Sequence, residues 1–174
     1  IIVAVLTIVT FKYVKDNDID IKEYIEESAT MKGTIGDTLS GDDVKITLTD
    51  ALIYPRIEGE AFTDTPAEGK EYLVFFFNVE NIDDENNFVS IHNFTGYVDD
   101  TLVASKILIN NVDNVQYLSA DLTPGKKTRG YVAYEVDTNW KQFDIHYKEN
   151  SFDYNDSMIF TVVNEENNQN NNNA

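Results

Sequence analysis

YLVFFFNVEN, residues 72–81, is the stretch that decides the fold. In an extended chain Leu73, Phe75, Phe77 and Val79 fall on one side, and Tyr72, Val74 and Phe76 on the other. A strand that is apolar on both faces reads as central, covered on both sides for most of its length. Upstream, VKITLTDALI (residues 44–53) alternates Val44, Ile46 and Leu48 with Lys45, Thr47 and Thr49, the period of a half-buried strand. Downstream, further short strands are expected near Phe94–Val98, Leu102–Leu108, Arg129–Val136, Gln142–Tyr147 and Met158–Val163. VDDT (residues 98–101) reads as a tight hairpin. TPGK (residues 123–126) puts Pro124 and Gly125 at the central positions of a type II turn. Strands and turns at this spacing predict an all-β antiparallel sandwich. Its core is expected to hold Val44, Ile46, Leu48, Val74, Phe75, Phe76, Phe77, Val132 and Val136.

Composition narrows the function classes. The chain has 174 residues, enough for one ordinary domain plus appendages, and is 42% hydrophobic, enough for a sizeable core. Thirteen Lys and Arg against 31 Asp and Glu give a net charge of −18. A polyanion is repelled by such a surface, so nucleic acid is not an expected partner. Docking of the domain onto anionic lipid is disfavoured for the same reason. With no cysteine there is neither a disulfide framework nor a thiolate zinc site.

The ends differ from the middle. Residues 1–11, IIVAVLTIVTF, carry no charge, and Lys12, Lys15 and a dense acidic stretch follow. As a helix this run reaches only about 16 Å of the roughly 30 Å of hydrocarbon. It reads as the outer end of a membrane anchor, residues 1–15, that continues upstream, with the β domain outside the cell. The alternative is that Ile1–Val9 is a β-branched core strand. Residues 16–33 read as a helical stalk: Asp20 caps it, Glu23 completes a capping box, and Gly33 ends it. The sandwich is then expected over residues 34–163, and the Asn-rich tail over 164–174 is expected to be disordered.

Little in the chain specifies chemistry. His92 and His146 are the only histidines, each in an expected strand and neither with a ligand-spaced partner. No nucleophile elbow, P-loop or dinucleotide turn occurs. Asp16 to Glu27 places acids at positions 1, 3, 5 and 12 of a calcium loop, but Ile21 occupies the sharply turning sixth position that normally needs Gly. A capped helix explains the same residues. The remaining metal candidates are the loop acids Asp83, Asp84, Glu85, Asp99 and Asp100, which equally serve to keep sheet edges soluble. No cofactor is expected.

The order of these features resembles a known family. GDTLSGDDVKITLTDALIYP (residues 36–55) is similar to its opening strand pair, and PAEGKEYLVFFFNVEN (residues 66–81) to its hallmark strand, with a Gly-Lys-x-Tyr entry and an exit at Asn81. LTPGKKTRGYVAYEV (residues 122–136) resembles its Pro-Gly-Lys turn and following strand, and WKQFDIHY (residues 140–147) its penultimate strand. The family comprises extracytoplasmic domains of unknown function from Gram-positive bacteria, found in lipoproteins and membrane-anchored proteins. The resemblance implies an immunoglobulin-like sandwich, similar to a secreted immunoprotective antigen, and transfers no functional site. Because this chain lacks a lipidation cysteine, it implies a helical tether. The expected function is a non-enzymatic binding module at the cell surface. Its partner would be a protein or an envelope component, with membrane contact through the N-terminal segment only. The alternative is a calcium-stabilised adhesin-like domain.

Overall fold

The computed structural model describes residues 30–149, 158–165 and 167. Fourteen strands are found among them. The first half contains β1 (Met31–Gly33), β2 (Thr38–Ser40), β3 (Val44–Tyr54), β4 (Ile57–Glu58), β5 (Thr63–Asp64), β6 (Lys70–Asn81) and β7 (Asn87–Ser90). The second half contains β8 (Phe94–Val98), β9 (Thr101–Val103), β10 (Ser105–Lys106), β11 (Ser119–Leu122), β12 (Lys127–Asp137), β13 (Gln142–Tyr147) and β14 (Met158–Val163). One sheet runs β1-β14-β13-β8-β9 and the other β10-β12-β6-β3-β2, with the ribbons β11-β7 and β4-β5 as additions. The result is an all-β sandwich.

β6 is central, as its two apolar faces require. It pairs with β12 along eleven residues and with β3 on its other side. Its inward residues Leu73, Phe75, Phe77 and Val79 join Phe143, Phe160, Tyr147 and Trp140 in the core between the sheets. Phe77 packs against Phe94 and Phe160, with ring centroids 4.8 and 5.8 Å apart. Its outward residues Tyr72, Val74 and Phe76 form a second cluster with Tyr131 and Ala133 of β12, roofed by Ile57, Leu108 and Val112 from the connecting segments. All nine expected core residues are buried, divided between these two clusters.

The turns follow their chemistry. Asp99 and Asp100 both take positive φ, 44° and 68°, closing the tight β8–β9 hairpin as a type I′ turn demands. Gly125 follows Pro124 with φ 70°, and the Lys126 N–H donates to the Thr123 carbonyl at 3.0 Å.

Three expectations need correction. Met31–Gly33 is a strand, parallel to Met158–Phe160 of β14, and not the last turn of a helix. Met31 packs on the core, and that burial outweighs the local helical pattern. Residues 1–29, with the anchor, the rest of the stalk and the calcium-loop pattern, lie outside the described residues. Leu102–Leu108 is not one strand: the chain leaves the first sheet after Val103 and enters the second at Ser105. Leu108 then turns inward, 4% exposed, to roof the outer cluster. Finally, the Asn-rich tail is not wholly detached. The Asn167 side chain donates to the carbonyls of Thr138 and Trp140, both at 2.9 Å.

One core group lacks a partner. The Tyr134 hydroxyl is buried with no hydrogen bond, between Phe75 and Phe143. A buried unpaired hydroxyl costs free energy, so Tyr134→Phe is expected to raise stability by about 1 kcal/mol. A urea midpoint that falls on substitution would show that the hydroxyl has a bonded role.

Candidate functional site

The acidic candidates do not converge. Asp83, Asp84 and Glu85 lie after β6, at the end of the sandwich where Asp42 and Asp43 precede β3. Asp99 and Asp100 lie at the opposite end, where the Asp99 Oδ1 accepts from the Gln142 N–H at 2.9 Å. Among the described residues no three His, Asp or Glu side chains are placed to hold one metal ion. At the first end Asp83 is committed to turn structure, its N–H donating to Asn81 Oδ1 at 3.0 Å and its own carboxylate accepting from Asp84 N–H at 2.7 Å. The Glu149 carboxylate accepts from the N–H groups of Asp42, Asp43 and Val44 at 3.1–3.3 Å, pinning the entry to β3. Burial, then the nearby Asp83 and Asp42, raises the Asp43 carboxyl above its ordinary pKa. A raised carboxyl favours the fold as pH falls through it, so at neutral pH this crowding opposes folding.

Among the described residues, each sheet's outer face carries a shallow depression of about 490 Å³. On the second sheet the depression lies beyond the roofed cluster and is lined by Lys45, Asn78, Glu80, Lys127 and Arg129. Its charges are largely matched. Lys127 pairs with Glu80 at 3.1 Å and Arg129 with Asp50 at 3.6 Å. These are exposed pairs, worth little individually.

The outer face of the first sheet is different. Period-two alternation sends Phe143, Ile145 and Tyr147 inward and leaves Asp144 and His146 outside. The same rule leaves Ile159 and Thr161 outside on β14, and Thr95 and Tyr97 outside on β8. Register then sets them in rows. Lys32, Ile159, His146 and Thr95 lie side by side, and Thr161, Asp144, Tyr97 and Leu102 form the next row. Tyr97 and His146, diagonal neighbours, touch with ring centroids 4.7 Å apart and planes tilted by 50°. Asp144 is held rigid, accepting from Thr161 Oγ1 at 2.6 Å and Gln142 Nε2 at 2.9 Å. Leu102 is 64% exposed at the edge. The face thus offers an aromatic pair and aliphatic area, interleaved with fixed hydrogen-bonding groups. Its depression is shallow and not enclosed, a shape suited to another macromolecule more than to an enclosed small ligand.

Of the two histidines, His146 belongs to this face. His92 sits in the short 3₁₀ turn Ile91–Asn93, where its N–H donates to Ser90 Oγ at 3.3 Å and the turn serves the fold. Tyr97, Asp144, Thr161 and Leu102 were not singled out by the sequence. Their alternation within strands is visible there, but their neighbours are set by register between strands far apart in the chain.

The sequence of residues 33–169 matches the model of a domain of unknown function, DUF4352. The chain belongs to the DUF4352 family. Solved structures agree in fold. A Bacillus subtilis protein assigned as a lipoprotein is 16% identical with a TM-score of 0.59, over 78% of this chain and 41% of that longer one. The secreted protein MPT63 of Mycobacterium tuberculosis is 13% identical with a TM-score of 0.51, over 76% of this chain and 98% of its own. A β-sandwich protein from Clostridium difficile is 12% identical with a TM-score of 0.52, over 76% and 94%. Among curated proteins no sequence matches the chain. The family resemblance read from the sequence therefore holds. Among the described residues of this DUF4352 chain, no helix is long and apolar enough to cross a membrane.

Proposed function

We propose that the chain is an extracytoplasmic, immunoglobulin-like, non-enzymatic binding module tethered at a bacterial cell surface. Its partner, a protein or an envelope component, binds the open face of β1-β14-β13-β8-β9. The observation that carries this reading is the asymmetry of the two sheets. Much of the outer face of β12-β6-β3 is roofed by the chain's own segments, whereas the first sheet's outer face carries the half-buried Tyr97, His146 and Ile159 and the exposed Leu102 beside the fixed Asp144. Aromatic anchors on a rigid sheet are typical of binding hot spots. The surface location draws on the family and on fold neighbours described as lipoproteins or secreted proteins. The tether draws on the uncharged residues 1–11.

The test uses the purified protein as bait for detergent-solubilised envelope. Tyr97→Ala is expected to weaken retention of the captured component by about 30-fold, the loss of one hot-spot aromatic. Retention at full strength by this variant would remove the face from consideration. On intact cells, added protease is expected to degrade the domain, and protection until lysis would place it inside.

A further inference from the structure

The edge of β3 points to a second binding surface, independent of the face just described. β2 covers only Lys45–Thr47 of β3. Beyond the irregularity between Leu48 and Asp50, the run Asp50–Tyr54 pairs with β6 on one side only. The direction of its backbone groups follows from β6. Asn81 of β6 bonds toward β12, its N–H donating to the Lys126 carbonyl at 2.9 Å and its carbonyl accepting from Gly125 at 3.0 Å. Odd-numbered residues of β6 therefore turn to β12 and even-numbered ones to β3. Asp50, Leu52 and Tyr54 lie opposite Phe76, Val74 and Tyr72 and bond inward. Ala51 and Ile53 lie opposite Phe75 and Leu73, so their N–H and C=O groups turn outward. Leu48, opposite Phe77, is in the same phase, and its carbonyl accepts the Gly36 N–H at 2.8 Å from that outer side. Among the described residues nothing bonds to the outward groups of Ala51 and Ile53.

Native sheets usually guard such an edge with lysine, proline or a covering loop. Here Ala51, Leu52, Ile53 and Tyr54 carry no charge, and Leu52 and Ile53 are 42% and 45% exposed.

We infer that this edge pairs with the same edge of a second copy of the chain, antiparallel about a two-fold axis at Leu52. That register places Ala51 opposite Ile53 of the second copy, and the reverse. Each of these two pairs exchanges two backbone hydrogen bonds, four in all. Leu52 meets Leu52 in the close, non-bonded pairing, and Asp50 meets Tyr54, so no like charges face each other. Centring the axis on Ala51 or Ile53 instead loses complementarity: the first sets Asp50 against Leu52, and the second sets Ala51 against Pro55, which has no N–H. The two copies carry −18 each, so their long-range repulsion opposes approach and is screened by salt. Association is therefore expected to strengthen as ionic strength rises, the reverse of an ion-paired interface.

Sedimentation of the full-length chain at rising concentration is expected to show a monomer–dimer equilibrium that salt shifts toward dimer. Leu52→Lys, which sets two lysines face to face at the axis, is expected to weaken it by at least about tenfold. Phe88→Lys, at an exposed position on the β11-β7 ribbon and outside both surfaces, should leave it unchanged. Amide exchange at Ala51 and Ile53 of the unsubstituted chain should slow as the dimer forms, a readout that needs no variant. A monomer at every concentration would overturn the inference. So would association that survives Leu52→Lys with Ala51 and Ile53 still exchanging freely, as self-association through residues 1–11 would do.

Discussion

Replacing Phe76 with alanine is expected to lower the free energy of unfolding by about 3–5 kcal/mol, the range for a buried aromatic cut to a methyl. Phe76 is 1% exposed, yet it does not face the space between the sheets. It lies under the outer roof, with the Tyr131 ring at 6.3 Å and the Arg129 guanidinium 5.6 Å from its ring centroid. Relaxation into the cavity is limited because the roof is tied down. The Asp64 carboxylate accepts from the backbone N–H groups of Ile109 and Asn110 and from the Asn110 amide, at 2.9–3.1 Å. A domain of this size is stable by roughly 5–15 kcal/mol, so the variant is left marginal. Urea unfolding should show a lower midpoint with an unchanged slope. An unchanged midpoint would mean that the roof is not part of the cooperative fold.

Asn81→Ala is expected to cost about 2–4 kcal/mol, although it removes only a small polar group. Asn81 is fully buried where β6 ends. Its Nδ2 donates to the carbonyls of Leu122 and Glu85 at 2.7 and 2.8 Å, and its Oδ1 accepts from the Asp83 N–H at 3.0 Å. One side chain thus joins the β6 exit, the β6–β7 turn and the end of β11. Truncation leaves the Leu122 carbonyl buried without this donor. Asn81→Asp separates packing from bonding. The aspartate keeps the acceptor but sets a charge against two carbonyls, so at neutral pH it should cost at least as much as alanine. Its carboxyl pKa is raised in the fold, so the variant should regain stability as pH falls through that value, when the protonated acid donates again. A pH-independent deficit would sink the argument that the lost donors are what matters.

The residues whose roles were legible in advance share one property: their signal is local. The two apolar faces of β6, the alternation of Val44, Ile46 and Leu48, the Asp99–Asp100 hairpin and the Pro124–Gly125 turn each depend on side chains a few positions apart. Side-chain alternation and the sterics of positive φ act over that range whatever the rest of the chain does. Net charge is likewise read without reference to the fold, because −18 is felt at any arrangement. Tertiary structure decided the rest. Met31–Gly33 became a strand because Phe160 and its neighbours offered a ladder and a core to bury Met31. The stretch after Thr101 divided between two sheets because Leu108 is buried over Phe76 and Tyr131, far from β9's partners. Tyr97 meets His146, and Ala51 and Ile53 are left open, because register is set by pairings between strands distant in sequence. A one-residue slip there would exchange every inward side chain for an outward one, and only burial of the whole set rules it out.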